Sequence, residues 1–125
     1  SMAGALERLA ALGADFERDY RRMLGTVLER GLPTAVCTIY NGRFPDPTMQ
    51  RQTSTALIHF NDAILRAAAE AGVPVVELRL VCTEDADYAN PIEPSSHGGE
   101  KIARAIARLV TEHDFSRRRT EVYVG

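Results

Sequence analysis

Two short, apolar, β-branched runs with a long helical pattern between them are what most constrain this chain. Residues 34–40 read Thr-Ala-Val-Cys-Thr-Ile-Tyr, and residues 73–82 read Val-Pro-Val-Val-Glu-Leu-Arg-Leu-Val-Cys, clearest as a strand over 75–80. A run that is apolar on both faces suits a strand of a parallel sheet, which is buried on both sides. Between the two runs, Leu57, Phe60, Ile64 and Ala68 recur at helical spacing, with Thr48 as the expected cap and Gly72 as the stop. Buried strands alternating with long helices imply an α/β architecture with helices covering both faces of a parallel sheet.

The flanks extend the pattern. Over residues 5–30, Phe16, Tyr20, Met23, Leu24, Val27 and Leu28 form one apolar stripe, which predicts a first helix. Gly13 is a point of bending or breakage, and Gly31 and Pro33 are stop signals. Asn41-Gly42 opens a turn, followed by an irregular loop to Pro47. An acidic loop over 83–94 carries Asp85, Asp87, Tyr88, Asn90 and Glu93. Ser95 or Ser96 then caps a third helix to about Glu112, with Ile102, Ala103, Ile106, Leu109 and Val110 inward. Residues 120–124 suit a short extra strand. The expected order is α-β-α-β-α with a β-like tail.

At 125 residues and 45% hydrophobic content the chain has material for one domain with a core. Its net charge of −2 argues against a nucleic-acid binder driven by bulk charge, and the Arg117-Arg118-Arg119 run reads as a solvated end. No apolar run approaches the roughly 20 residues that a membrane span needs. No secretory pattern opens the sequence, and Cys37 and Cys82 read as two buried thiols rather than a disulfide or a metal pair. The lack of a cysteine pairing signal tilts the expectation towards the cytoplasm. Two parallel strands make a poor sheet, because an uncovered edge exposes unpaired backbone groups. The chain therefore reads as the second half of a doubly wound domain. The edge of residues 34–40 is expected to be covered by a second copy, by a missing N-terminal segment, or by the tail.

Ligands of open α/β sheets bind outside the carboxyl ends of the strands, which points to the loops 41–47 and 83–94. In the second, Asn90-Pro-Ile-Glu-Pro-Ser-Ser-His-Gly-Gly-Glu-Lys-Ile-Ala103 resembles the C-terminal block of the SGNH, or GDSL-like, hydrolases. There an Asp and a His three residues later precede a Pro, a small polar residue, a Gly and an amphipathic helix. Pro94, Ser95 and Gly98 or Gly99 match, whereas Asn90 stands at the position of the Asp and Glu93 at that of the His. No Gly-Asp-Ser or Gly-x-Asn-Asp block is present, and Asn61-Asp62 falls inside a helical pattern.

The resemblance implies the C-terminal part of a flavodoxin-like, three-layer α/β/α serine hydrolase. It implies a small ester as substrate, an acyl-enzyme intermediate and no cofactor or metal. It also implies that the chain is inactive alone for lack of nucleophile and oxyanion donors, and that it works as a homo-oligomer or joined to the missing half. A serine hydroxyl needs a neighbouring base. Glu93 can act as one if burial raises its pKa, with Asn90 orienting it by hydrogen bonding. His97, four residues after Glu93 on the first turn of the helix, is a second candidate base. The competing reading is a non-catalytic binding module of the same fold.

Other features are weaker. Glu84, Asp85, Asp87 and Glu93 could gather round a divalent cation, but their spacing matches no calcium loop and such a run is ordinarily a solvated loop. Ser95-Ser96 with Gly98-Gly99 could hold an anion or simply cap the helix. Tyr40-Asn41 suits a pocket wall or a turn. His59 lies within a helix and His113 at a helix end.

Overall fold

A computed structural model describes residues 1–125 as three long helices and a three-stranded parallel sheet. Helix α1 spans Met2–Leu28, strand β1 Val36–Cys37, helix α2 Pro47–Ala71, strand β2 Val75–Val76, helix α3 Ser96–Glu112 and strand β3 Val122–Tyr123. Two 3₁₀ turns, Leu78–Leu80 and Asp85–Asp87, lie between β2 and α3. No helix is long and apolar enough to cross a membrane.

The strands lie side by side in chain order, with Val75 of β2 opposite Val36 and Val122, and Val76 opposite Cys37 and Tyr123. Successive strand residues point to opposite faces. Val75 packs with Ala68 of α2, supported by Leu28 of α1, whereas Val76 packs with Ala105 and Leu109 of α3. Helices α2 and α3 thus cover opposite faces of the sheet. Because the strands advance in one direction, the two crossovers have opposite hands, so one departs from the usual right-handed rule.

Helix ends follow local chemistry. Asp46, rather than Thr48, caps α2: its side chain accepts from Thr48 N, and Pro47 takes the first helical position, where its missing N–H costs nothing. Gly72 ends α2 in the left-handed region at φ 69°. Helix α1 runs unbroken through Gly13, contrary to expectation. The glycine is there for contact: a Cβ at that position would lie 1.8 Å from Nε2 of His59 on α2. Phe16 and Phe60 meet edge-on at 5.2 Å between the same helices.

The strands are shorter than the apolar runs because buried polar side chains stop them. Asn61, 0% exposed, accepts from Ile39 N at 2.8 Å and donates to Ile39 O at 2.9 Å, occupying the backbone as a neighbouring strand would. Glu77, 5% exposed, accepts from Arg79 N and turns the chain after β2 into a 3₁₀ turn. The tail forms β3 beside β2 and leaves the far side of β1 without a strand. Cys37 is exposed there, not buried as expected, whereas Cys82 is buried. On α3, Ala105 and Leu109 are the buried apolar positions. The expected Ala103, Ile106 and Val110 are exposed, the last two at 41% and 59%, because the apolar stripe is wider than this sheet covers.

Candidate functional site

The loops that follow β1 and β2 are fastened together at the carboxyl ends of the strands. Tyr40 Oη donates to Ile92 O at 2.6 Å, Arg43 N to Pro91 O at 2.8 Å, and Tyr88 Oη to Asn41 O. The Arg43 guanidinium donates to Thr83 O and sits 5.6 Å from the centre of the Tyr88 ring. Gln50 of α2 bridges Phe44 N and Gly42 O, both at 2.7 Å, fixing the first loop. Between the loops opens a cleft of about 440 Å³, with Arg43, Phe44, Gln50, Asp85, Tyr88 and Asn90 on its walls. Burial pushes the Tyr88 hydroxyl up to about 12.

The structure brings Asn90 and Glu93 together. Asn90 Oδ1 accepts from Ile92 N at 3.0 Å and Glu93 N at 2.9 Å, while its amide donates to Glu93 Oε2 at 3.0 Å. An aspartate in place of Asn90 would set two carboxylates against each other. The amide instead supplies a donor, so an Asn three residues before a Glu keeps a hydrogen bond with its direction reversed relative to Asp and His. The loop closes on itself through Ala89 N to Glu93 O at 2.9 Å and an antiparallel bridge of Tyr88 with Pro94. Glu93 is exposed, and its carboxylate has no hydroxyl or thiol among its hydrogen-bond partners.

His97 does not join that pair. It sits on the first turn of α3, and its Nε2 lies 3.6 Å from Asp87 Oδ1. Asp87 is not the solvated loop residue its sequence context suggests; it is 0% exposed. Its Oδ2 accepts from Thr83 N and Glu84 N, both at 2.9 Å, and from Lys101 Nζ at 2.8 Å. Burial alone would raise the Asp87 pKa, but Lys101 and the backbone donors outweigh it and hold the carboxyl below its ordinary range. Ser95 caps α3 by accepting from Gly98 N at 3.1 Å, so its hydroxyl is engaged as ordinary capping chemistry.

Sequence reasoning missed the Thr38–Glu77–Arg79 network. Thr38 Oγ1 donates to Glu77 Oε1 at 2.7 Å, and Arg79 clasps the same carboxylate through Nε at 2.8 Å and Nη2 at 2.6 Å. Burial works against ionisation of Glu77, yet the Arg79 and Thr38 bonds win and lower its pKa. The available signal was the Glu-x-Arg pair inside an otherwise apolar run. His113 is buried and structural: its Nδ1 lies 2.6 Å from Glu121 Oε1, and its ring packs on Phe115 and Tyr123. No family model, curated protein or solved structure matches this chain.

Proposed function

We propose that the chain is the C-terminal half of a doubly wound, three-layer α/β/α serine hydrolase of the SGNH type, acting on small acyl esters. Glu93 is the general base and Asn90 its positioning residue. The observation that carries this reading is the Asn90–Glu93 hydrogen bond in the loop after β2, the position a base and its orienting partner occupy in the resembled block. The uncovered stripe on α3 and the open side of β1 support a larger parent sheet.

The serine and oxyanion donors come from a preceding segment. Glu93 takes the hydroxyl proton as serine attacks the ester carbonyl. It returns that proton to the departing alcohol, leaving an acyl-enzyme that water hydrolyses by the same steps. Covering Glu93 with the partner segment would desolvate the carboxylate and make it a stronger base. In the absence of that segment, a second copy of the chain takes its place against β1, and residues 1–125 are oligomeric in solution.

A non-catalytic binding module is the second reading, favoured by the lack of any hydroxyl or thiol partner on the Glu93 carboxylate. The test is to treat the native polypeptide with a serine-directed phosphonate and with short acyl esters. It should be labelled and should turn over, and Glu93→Gln should lower turnover by about 10²–10⁴-fold with the fold intact. Residues 1–125 alone should do neither. Wild-type turnover by Glu93→Gln, or phosphonate-sensitive hydrolysis by residues 1–125, overturns the assignment. A native polypeptide that is neither labelled nor active supports the module.

A further inference from the structure

The loop after β2 holds a second cluster that uses neither Asn90 nor Glu93. Carboxylate oxygens of Glu84 and Asp87 and a ring nitrogen of His97 all lie within 4.8 Å of one another. One atom of this group needs explaining. Asp87 Oδ1 is buried and has no hydrogen-bond partner, the only side-chain atom of the chain in that state. A buried unpartnered carboxylate oxygen is costly, and native structures rarely leave one without a reason. The three donors of Asp87 all converge on Oδ2, which leaves Oδ1 free and facing His97 Nε2 at 3.6 Å. That gap is too long for a hydrogen bond.

It is, however, the separation that two ligands of one ion adopt. Donors held at about 2.0–2.2 Å from a tetrahedral zinc lie roughly 3.3–3.6 Å apart. The surroundings also suit an ion. Thr83 N, Glu84 N and Lys101 fix the carboxylate through its other oxygen and so make Asp87 a one-oxygen ligand, the outer-shell arrangement that orients metal-binding carboxylates. Glu84 and His97 are exposed and form the open side through which an ion and a water could enter. One imidazole and two carboxylates favour a first-row transition ion. They are too few for calcium, which takes six to eight oxygens.

We propose that Glu84, Asp87 and His97 bind one divalent ion of the zinc type, with water completing the coordination. The ion ties the 3₁₀ turn Asp85–Asp87 to the first turn of α3, and so clamps both ends of the loop that carries Asn90 and Glu93.

The test is titration of metal-free residues 1–125 with zinc chloride by calorimetry, and with cobalt chloride by visible absorption. One equivalent should bind, with cobalt bands typical of four-coordinate nitrogen and oxygen ligation. Zinc should raise the thermal midpoint, because the folded state alone holds the site. Glu84→Gln and His97→Ala replace exposed side chains and should fold as the wild type does without metal. Each should weaken zinc by at least about 100-fold, the upper end of what losing even an outer-shell partner costs. His59→Ala should bind as the wild type does. Absence of stoichiometric binding overturns the proposal, as does zinc bound equally well by His97→Ala, which would place it on Cys37 or another surface group.

Discussion

Replacing Gly98 by alanine tests how tightly α3 is seated on the loop after β2. Gly98 is buried in the first turn of α3, and a Cβ there would lie 2.1 Å from the Asp87 carbonyl oxygen. That leaves it roughly 1.3 Å short of the 3.4 Å at which ordinary contact begins. The obstacle is backbone, not the end of a flexible side chain, and it cannot yield cheaply. The same carbonyl accepts from Ser95 N at 2.8 Å, and Asp87 itself is held by Thr83, Glu84 and Lys101.

Overpacking of this kind costs about 1–3 kcal/mol, and weakening the Ser95 bond adds about 1 kcal/mol. Against this, alanine is favoured over glycine within a helix by up to about 1 kcal/mol. The net expectation is a loss of roughly 2 kcal/mol, or a thermal midpoint lower by about 6–10 °C for a chain of this size. Gly99 is the internal control: nothing lies within 4 Å of its Cβ position, so Gly99→Ala should be neutral or raise stability by up to about 1 kcal/mol. Urea and thermal unfolding of the two variants side by side measure the difference. A Gly98→Ala protein as stable as the wild type, or a Gly99→Ala protein that falls as far, would refute the seating described above.

Asn61→Ala removes both side-chain bonds to Ile39 and should cost about 2–4 kcal/mol by urea unfolding, since each stranded backbone group carries a desolvation penalty. Wild-type stability would show that water replaces the amide there. All four tyrosines are held above their ordinary pKa, Tyr88 the furthest, at about 12, chiefly by burial. Tyr88 contributes stability fully below its unfolded pKa near 10, lost as pH rises towards 12. An absorbance titration of tyrosinate should show its slowest-titrating step vanish in Tyr88→Phe. Asp87 and Glu77 have lowered pKa values, so their contribution is complete above the ordinary carboxyl range and disappears as pH falls through and below it. Unfolding midpoints between neutral and strongly acid pH should therefore fall steeply at the acid end. Lys101→Met removes a cause of the lowered Asp87 pKa, so it should lower the midpoint at neutral pH and flatten the acid fall; an unchanged acid limb would contradict the Asp87 cage.

Helix boundaries were legible because capping is local. Gly72, Ser95 and the Asp46-Pro47 step act within four residues, although choosing Asp46 over Thr48 required seeing which side chain reached back. Asn90 and Glu93 were legible as a pair for the same reason: they are three residues apart in one loop. Strand length was not legible, since 34–40 and 73–82 both carry strand composition for longer than they pair. What stops them is Asn61, reaching Ile39 from another helix, and Glu77, held by Thr38 and Arg79. His97 reads from its sequence position as a second candidate base, yet its helical turn faces it to Asp87.

By itself, the sequence determined the order of helices and strands, their parallel α/β character and the Asn-x-x-Glu loop, because periodicity, caps and turns act between near neighbours. Tertiary structure decided which carboxylates are buried. Asp87 lies in an acidic loop and Glu77 beside an arginine, and neither position implies burial. Their environments come from Lys101, fourteen residues along the chain from Asp87, and from Thr38, the residue that follows the adjacent strand. Desolvation depends on what the rest of the chain places overhead, and that is known only once the helices have closed over the sheet.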